Sequence, residues 1–89
     1  MPKPLNEISL DTARAALSYV DSSERDVWVK MGQALKSEFG EDAFDVFDQW
    51  SGESSNYKAA DCKSVWRSIK PNGGVGIGSL LFEAKQGGF

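Results

Sequence analysis

Apolar residues along the chain fall into helical stripes separated by short polar breaks. Leu10, Ala13, Ala16, Leu17 and Val20 stand at i, i+3, i+6, i+7 and i+10, a spacing that puts them on one face of an α-helix. Asp21-Ser22 breaks that stripe. Ser23-Glu24-Arg25-Asp26 then reads as a capping-box-like start, with Asp26 where Glu is usual. Val27, Trp28, Met31, Ala34, Leu35 and Phe39 continue it as one long stripe, and Gly40 follows in the position expected after a helix end. A third helix is expected over 42–50, with Ala43, Phe44, Phe47 and Trp50 on one face and Asp45 and Asp48 on the other. Residues 51–56, SGESSN, read as a turn-rich loop. Cys62, Val65, Trp66 and Ile69 mark a fourth helix over 59–69, stopped by Pro71-Asn72. Beyond a glycine-rich run, Ser79 is the expected N-cap of a short last helix carrying Leu80, Leu81, Phe82 and Ala84, closed by Gly87-Gly88. Val75 and Ile77 alternate with glycine and read as a brief extended piece between the last two helices.

Residues 1–8 hold two prolines and little periodicity, so they read as a flexible lead-in to a single domain over 9–89. The expected fold is all-α: a compact bundle of about five short helices with a Gly-rich turn before the last one. Eighty-nine residues suffice for one modest core, and three Trp, two Tyr and five Phe supply much of its burial.

The residue inventory narrows the chemistry. The chain has no His and one Cys, so a zinc site of the usual Cys/His type and a Ser-His-Asp or Cys-His nucleophile are both out of reach within it. A lone Cys62 forms no intrachain disulfide, which fits a reducing compartment. No apolar run has signal-peptide or membrane-span length. The expectation is a cytoplasmic, non-catalytic protein or excised domain, monomeric by itself, with no membrane partner, metal or cofactor.

Charge is uneven. Residues 1–56 carry five basic and eleven acidic side chains, whereas residues 57–89 carry five basic and two acidic ones. The last third is thus positive in a chain of net charge −3, an asymmetry that suits an anionic partner.

Gly73 and Gly78 have the separation of the two glycines in a phosphate-binding loop, but Ser79-Leu80 follows where such a loop requires lysine and then Ser or Thr. The preceding segment also reads as helix rather than strand. Gly74, Gly76 and Gly78 likewise miss the dinucleotide fingerprint. The glycines therefore read as a tight reversal between helices, leaving open amides beside Ser79 that could hold a backbone phosphate.

Lys63, Arg67 and Lys70 stand at i, i+4 and i+7, a basic stripe that Lys58 extends toward the helix start. Such a stripe is either a solvated face or a phosphate-contacting edge. Arg67 can pair two phosphate oxygens at once. Trp28, Trp50 and Trp66 fall on apolar faces and read as core, while Tyr57, in the loop before the basic helix, is the preferred base-stacking candidate. Glu38, Glu41, Asp42, Asp45 and Asp48 cluster around the third helix and read as a solvated acidic face that nucleic acid would avoid.

The run FDVFDQWSGESSNYKAADCKSVWRSIKPNGGVGIGSLLFEAKQGG resembles the primase C-terminal 2 domain, a small helical module of replication proteins in phages, plasmids and related mobile elements. The resemblance rests on Trp28, Phe47, Trp50-Ser51, Tyr57, Cys62 and Trp66-Arg67-Ser68, then Gly76-Ile77-Gly78-Ser79-Leu80 and a final Ala-Lys-x-Gly, and covers about residues 12–88. It implies an accessory role beside a primase, polymerase or helicase, with catalysis elsewhere. On that footing Tyr57, Lys58, Lys63, Arg67, Lys70 and Ser79 are the expected contacts to single-stranded template DNA. The alternative is a protein-docking module of a replication complex that never touches DNA.

Overall fold

Ser9 starts the first helix. Its Oγ accepts the Thr12 backbone N–H at 3.2 Å, so one of the amides left unpaired at a helix start is satisfied. Helix α1 runs Leu10–Leu17 and buries Ala13, Ala16 and Leu17; Val20 follows in the turn and is buried with them. The computed structural model describes residues 8–70 and 75–89. The expectations for the 1–7 lead-in and for the start of the glycine turn, Pro71 to Gly74, lie outside the described residues.

Helix α2, Arg25–Phe39, is the centre of the domain. Its start differs from the capping-box expectation. Ser23 donates both its backbone N–H and its Oγ–H to Asp21 Oδ1, at 2.9 and 2.7 Å, so the serine closes a local turn and Glu24 occupies the N-cap without a side-chain cap bond. Asp two residues upstream competes successfully for the serine. Those same bonds hold the Asp21 carboxyl below its usual range. At the other end Gly40 takes a positive φ of 66°, as the sequence position predicts.

The third helix begins earlier than expected, as a 3-10 turn at Gly40–Ala43, and continues as α3, Phe44–Ser51. Ser51, expected in the loop, is the last residue of α3 and is buried; its hydroxyl donates to the Phe47 carbonyl at 2.6 Å. Helix α4 runs Ala59–Ser68 and helix α5 Ile77–Gln86. The start of α5 is a second correction. Gly76 is the N-cap, Ser79 lies in the first turn, and Ile77 is helical and buried rather than part of an extended piece. Burying Ile77 against the core brings the chain into helix two residues before the serine.

No strand occurs among the described residues. Helix α2 packs most extensively against α5, and also meets α3; α1 packs on α5 and α3; α4 leans mainly on α3. Phe47, Met31, Leu35, Leu17, Leu80 and Val46 fill the shared interior. Gly32, in the middle of α2, permits a close approach there. A Cβ at that position would stand 2.7 Å from Ile69 Cδ1 and 2.9 Å from Phe47 Cε1. The radius of gyration, 12.2 Å, matches the roughly 12 Å expected of a compact chain of this length.

Candidate nucleic-acid interface

Helix α4 is divided lengthwise. Cys62 and Trp66 are buried, Val65 is half-buried and Ile69 closes the seam, whereas Lys63, Ser64, Arg67 and Ser68 are exposed. The buried seam is anchored by aromatic contacts: the Trp66 ring meets Phe44 edge-on at 5.6 Å and Phe47 at 5.3 Å. Its indole N–H donates to Glu41 Oε1 at 2.9 Å, and Lys36 Nζ donates to the Trp66 carbonyl at 2.7 Å while lying 5.2 Å from the ring centroid. The last carbonyls of α4 thus gain a cation, where the negative end of the helix dipole favours one.

This geometry fixes which way the basic residues face. Lys63 and Arg67 lie one turn apart on the outer surface of α4, exposed, and neither makes an ion pair among the described residues. Lys58 is the N-cap of the helix and is exposed beside them in sequence. Lys70 departs from the expected stripe. The helix ends at Ser68 and Ile69 is extended, with φ −71° and ψ 130°, so Lys70 follows the helix instead of occupying its i+7 position. Burial of Ile69 beneath Gly32 turns the chain inward at that point. Ser79 belongs to α5, whose main neighbours are α2 and α1, and the structure does not group it with the cations of α4.

Tyr57 is half-buried, with its hydroxyl donating to Asp48 Oδ1 at 2.7 Å. That bond to a carboxylate, with a smaller contribution from partial desolvation, raises the phenol above its ordinary value. The ring is therefore held in place. Burial also pushes the Cys62 thiol up, leaving the chain's one sulfhydryl protonated and inaccessible within the core.

Two members of the acidic cluster are structural, which the charge pattern alone does not distinguish. Glu41, though exposed itself, takes the Trp66 indole N–H, and half-buried Asp48 takes the Tyr57 hydroxyl; Glu38, Asp42 and Asp45 are exposed. No group of three or more Asp, Glu, Cys or His side chains converges as a metal site among the described residues. Among these residues too, no helix is long and apolar enough to cross a membrane.

The three tryptophans split likewise. Trp50 and Trp66 are buried, and Trp50 donates its N–H to the Val20 carbonyl at 3.0 Å. Trp28 is only half-buried. Its N–H donates to Ser51 Oγ at 2.7 Å, one face stacks on Phe47 at 5.7 Å, and the Arg25 guanidinium lies over the ring at 5.6 Å. This exposed edge forms part of a cleft of about 250 Å³ between the start of α2 and the loop leading into α4, lined by Arg25, Trp28, Asn56, Tyr57, Lys58 and Asp61 among others. A cleft here has no counterpart in periodicity, because its walls come from residues about thirty positions apart.

No curated protein and no solved structure matches the chain. The family comparison is positive: residues 13–84 match the model of the Primase C terminal 2 (PriCT-2) family, from the second turn of α1 through nearly all of α5. The match takes in the Trp66 seam, the outer face of α4 and the cleft beside it, and the chain therefore belongs to the PriCT-2 family, a domain associated with primases.

Proposed function

We infer that this domain is a non-catalytic accessory module of DNA priming, which holds single-stranded template for a primase or helicase-primase. One observation carries the reading: an otherwise acidic molecule turns Lys63 and Arg67 outward, unpaired among the described residues, on a helix whose opposite side is locked to the core. A cationic edge on a rigid helix attracts phosphates through release of their counterions, without reading sequence. Lys58 extends that edge, and Tyr57 offers a fixed ring against which a base can rest. Lys70, off the helical face, contributes charge at the far end. Ser79 is a weaker member of the set, since α5 packs elsewhere. The exposed acidic residues Glu38, Asp42 and Asp45 would lie away from the strand or dock a partner protein.

The test is a titration of labelled single-stranded and duplex oligonucleotides at low and moderate salt, with Lys63→Glu/Arg67→Glu alongside. Template holding predicts affinity that falls on a log–log plot with a slope of about −0.7 for each phosphate neutralised, lost in the variant while its circular dichroism stays unchanged. Absence of binding at low salt would favour the second reading, a docking module engaging a replication protein through its exposed acidic side chains.

A further inference from the structure

The outer side of α5 carries two features that the fold itself does not use. Phe82 stands in the middle of the helix with 61% of its surface exposed, the most of any large apolar side chain among the described residues. Exposed Tyr19 and Phe89 lie edge-on against each other at 5.4 Å, whereas Phe82 meets no other ring among the described residues. One turn before Phe82 stands Gly78, also exposed. A Cβ there would meet nothing within 4 Å, and its φ is not positive, so neither crowding nor backbone conformation calls for glycine. Glycine weakens a helix relative to alanine, and a single copy of the chain gains nothing in return.

Spacing joins the two features. Residues four apart lie one above the other on a helix face, so Phe82 and Gly78 make a ridge and a gap along one stripe. That stripe lies opposite Leu80 and Ala84, which are buried in the core. A ridge and a gap on one stripe complement themselves. A twofold contact matches residue i of one copy to residue j of the other, and j to i. With two copies of α5 antiparallel and the axis at the level of position 80, each Phe82 ring enters the space over the other copy's Gly78. An unrelated helix would cover one ring, while a second copy covers two rings and fills two gaps at once.

Charge permits this arrangement. Glu83 is engaged by Lys30 of α2 at 3.4 Å, and Lys85 is the exposed cation beside the stripe. In the antiparallel pair the two Lys85 stand about 15 Å apart along the helices, farther than the screening length of roughly 8 Å at physiological salt. Area sets the strength. An aromatic side chain buries 150–250 Å², so 61% exposure leaves roughly 90–150 Å² on each Phe82 to be covered. Two ten-residue helices touching along one stripe stay under the roughly 1,200–2,000 Å² of stable complexes, so the contact is weak and reversible.

We propose that α5 pairs with α5 of a second copy through Phe82 and Gly78, giving a weak symmetric dimer in place of the monomer expected from the sequence. The contact uses no residue of α4, and it stands whether or not α4 binds DNA.

Sedimentation equilibrium and nitrogen-15 spectra of the 89-residue chain, over a dilution series reaching about 1 mM, test the pairing. The expected result is a monomer–dimer equilibrium with Kd of about 0.1–1 mM and concentration-dependent amide shifts confined to α5. A mixture of labelled and unlabelled chains should show Phe82 ring protons of one copy near Gly78 of the other. Phe82→Ser should weaken pairing at least tenfold, the size expected from losing a buried ring. Gly78→Leu is the sharper variant, because it keeps Phe82 and adds apolar surface. Filling the gap should also weaken pairing about tenfold or more, whereas unspecific adhesion of exposed rings would tighten. Both positions are exposed, so both variants should keep the circular dichroism of the wild type. Lys63→Glu/Arg67→Glu should pair as the wild type does, which keeps this result apart from strand binding. Three outcomes would overturn the dimer: a chain that stays monomeric throughout, association that Gly78→Leu leaves intact or strengthens, or association lost with added salt or in Lys63→Glu/Arg67→Glu.

Discussion

Helices α2 and α4 are both amphipathic, and both hold a tryptophan whose N–H is satisfied by a side chain from another element. They differ in how much of their surface the fold uses. Helix α2 is covered by α5 and α3, and its middle, Met31 to Leu35, is nearly all buried. Helix α4 rests mainly on α3 through one seam, with Cys62 and Trp66 its only fully buried residues. The difference separates what the domain needs in order to fold from what it leaves free. The enclosed middle of α2 has no room for a partner, while a helix held by one seam can present the rest of its surface.

If that contrast is right, cutting the seam should release α4 ahead of α2. Trp66→Ala removes the ring that packs on Phe44 and Phe47, the indole N–H that Glu41 accepts and the ring face beside Lys36. A cost of about 3–5 kcal/mol is expected, a large part of the roughly 5–15 kcal/mol available to a domain. Hydrogen exchange checks it: α4 amides should lose protection first, with those of α2 and α5 following only at global unfolding. Simultaneous loss everywhere would show that the seam belongs to one cooperative unit, and the comparison would fail.

A smaller perturbation tests the contact between the two helices. Gly32→Val pushes a branched side chain toward Ile69 and Phe47. Overpacking of this kind costs about 1–3 kcal/mol, more than the gain in helix propensity offsets, so the midpoint of chemical denaturation should fall. A rise would mean that the end of α4 yields easily and that Gly32 is not a structural requirement. Lys63→Glu/Arg67→Glu, by contrast, should leave the thermal midpoint where it is, because neither side chain has a partner to lose among the described residues.

The smallest effect concerns pH. Tyr57 is raised above its ordinary 10.0 in the folded state by its bond to Asp48. The native form therefore holds its proton to higher pH than the unfolded form. Its contribution to stability is complete below pH 10 and is lost as pH rises through the raised folded value. Denaturation midpoints across that interval should fall more steeply for the wild type than for Tyr57→Phe, and parallel curves would mean that the Tyr57–Asp48 bond is weak in solution.

Much of the fold is legible in the spacing of apolar residues. The stripes containing Leu17, Met31-Leu35, Phe47-Trp50, Cys62-Trp66 and Leu80 all become core, because a 3.6-residue period leaves no other way to bury those side chains together. Helix starts are less legible. Ser23 and Ser79 are both good caps by residue type, yet neither caps a helix. Asp21 captured the first through a local turn, and burial of Ile77 moved the start past the second. The candidate interface is legible as a set of charges, and Lys63 and Arg67 keep the relation that their spacing predicts. Lys70 leaves it because Ile69 turns inward onto Gly32.

The sequence alone therefore determined the helical class, the identity of the core, the exclusion of Cys/His chemistry and the positive C-terminal third. Each follows from a local period or from residue counts, which need no knowledge of which helix meets which. The tertiary structure decided what depends on distant segments meeting. It made Glu41 and Asp48 structural while their neighbours stayed free. It required glycine at position 32, where two other elements press in. It also set Trp28 apart from the two buried tryptophans, as the wall of a cleft shared by the start of α2 and the loop before α4. A side chain's partners across the core are fixed by packing, and packing leaves no periodic trace in the chain.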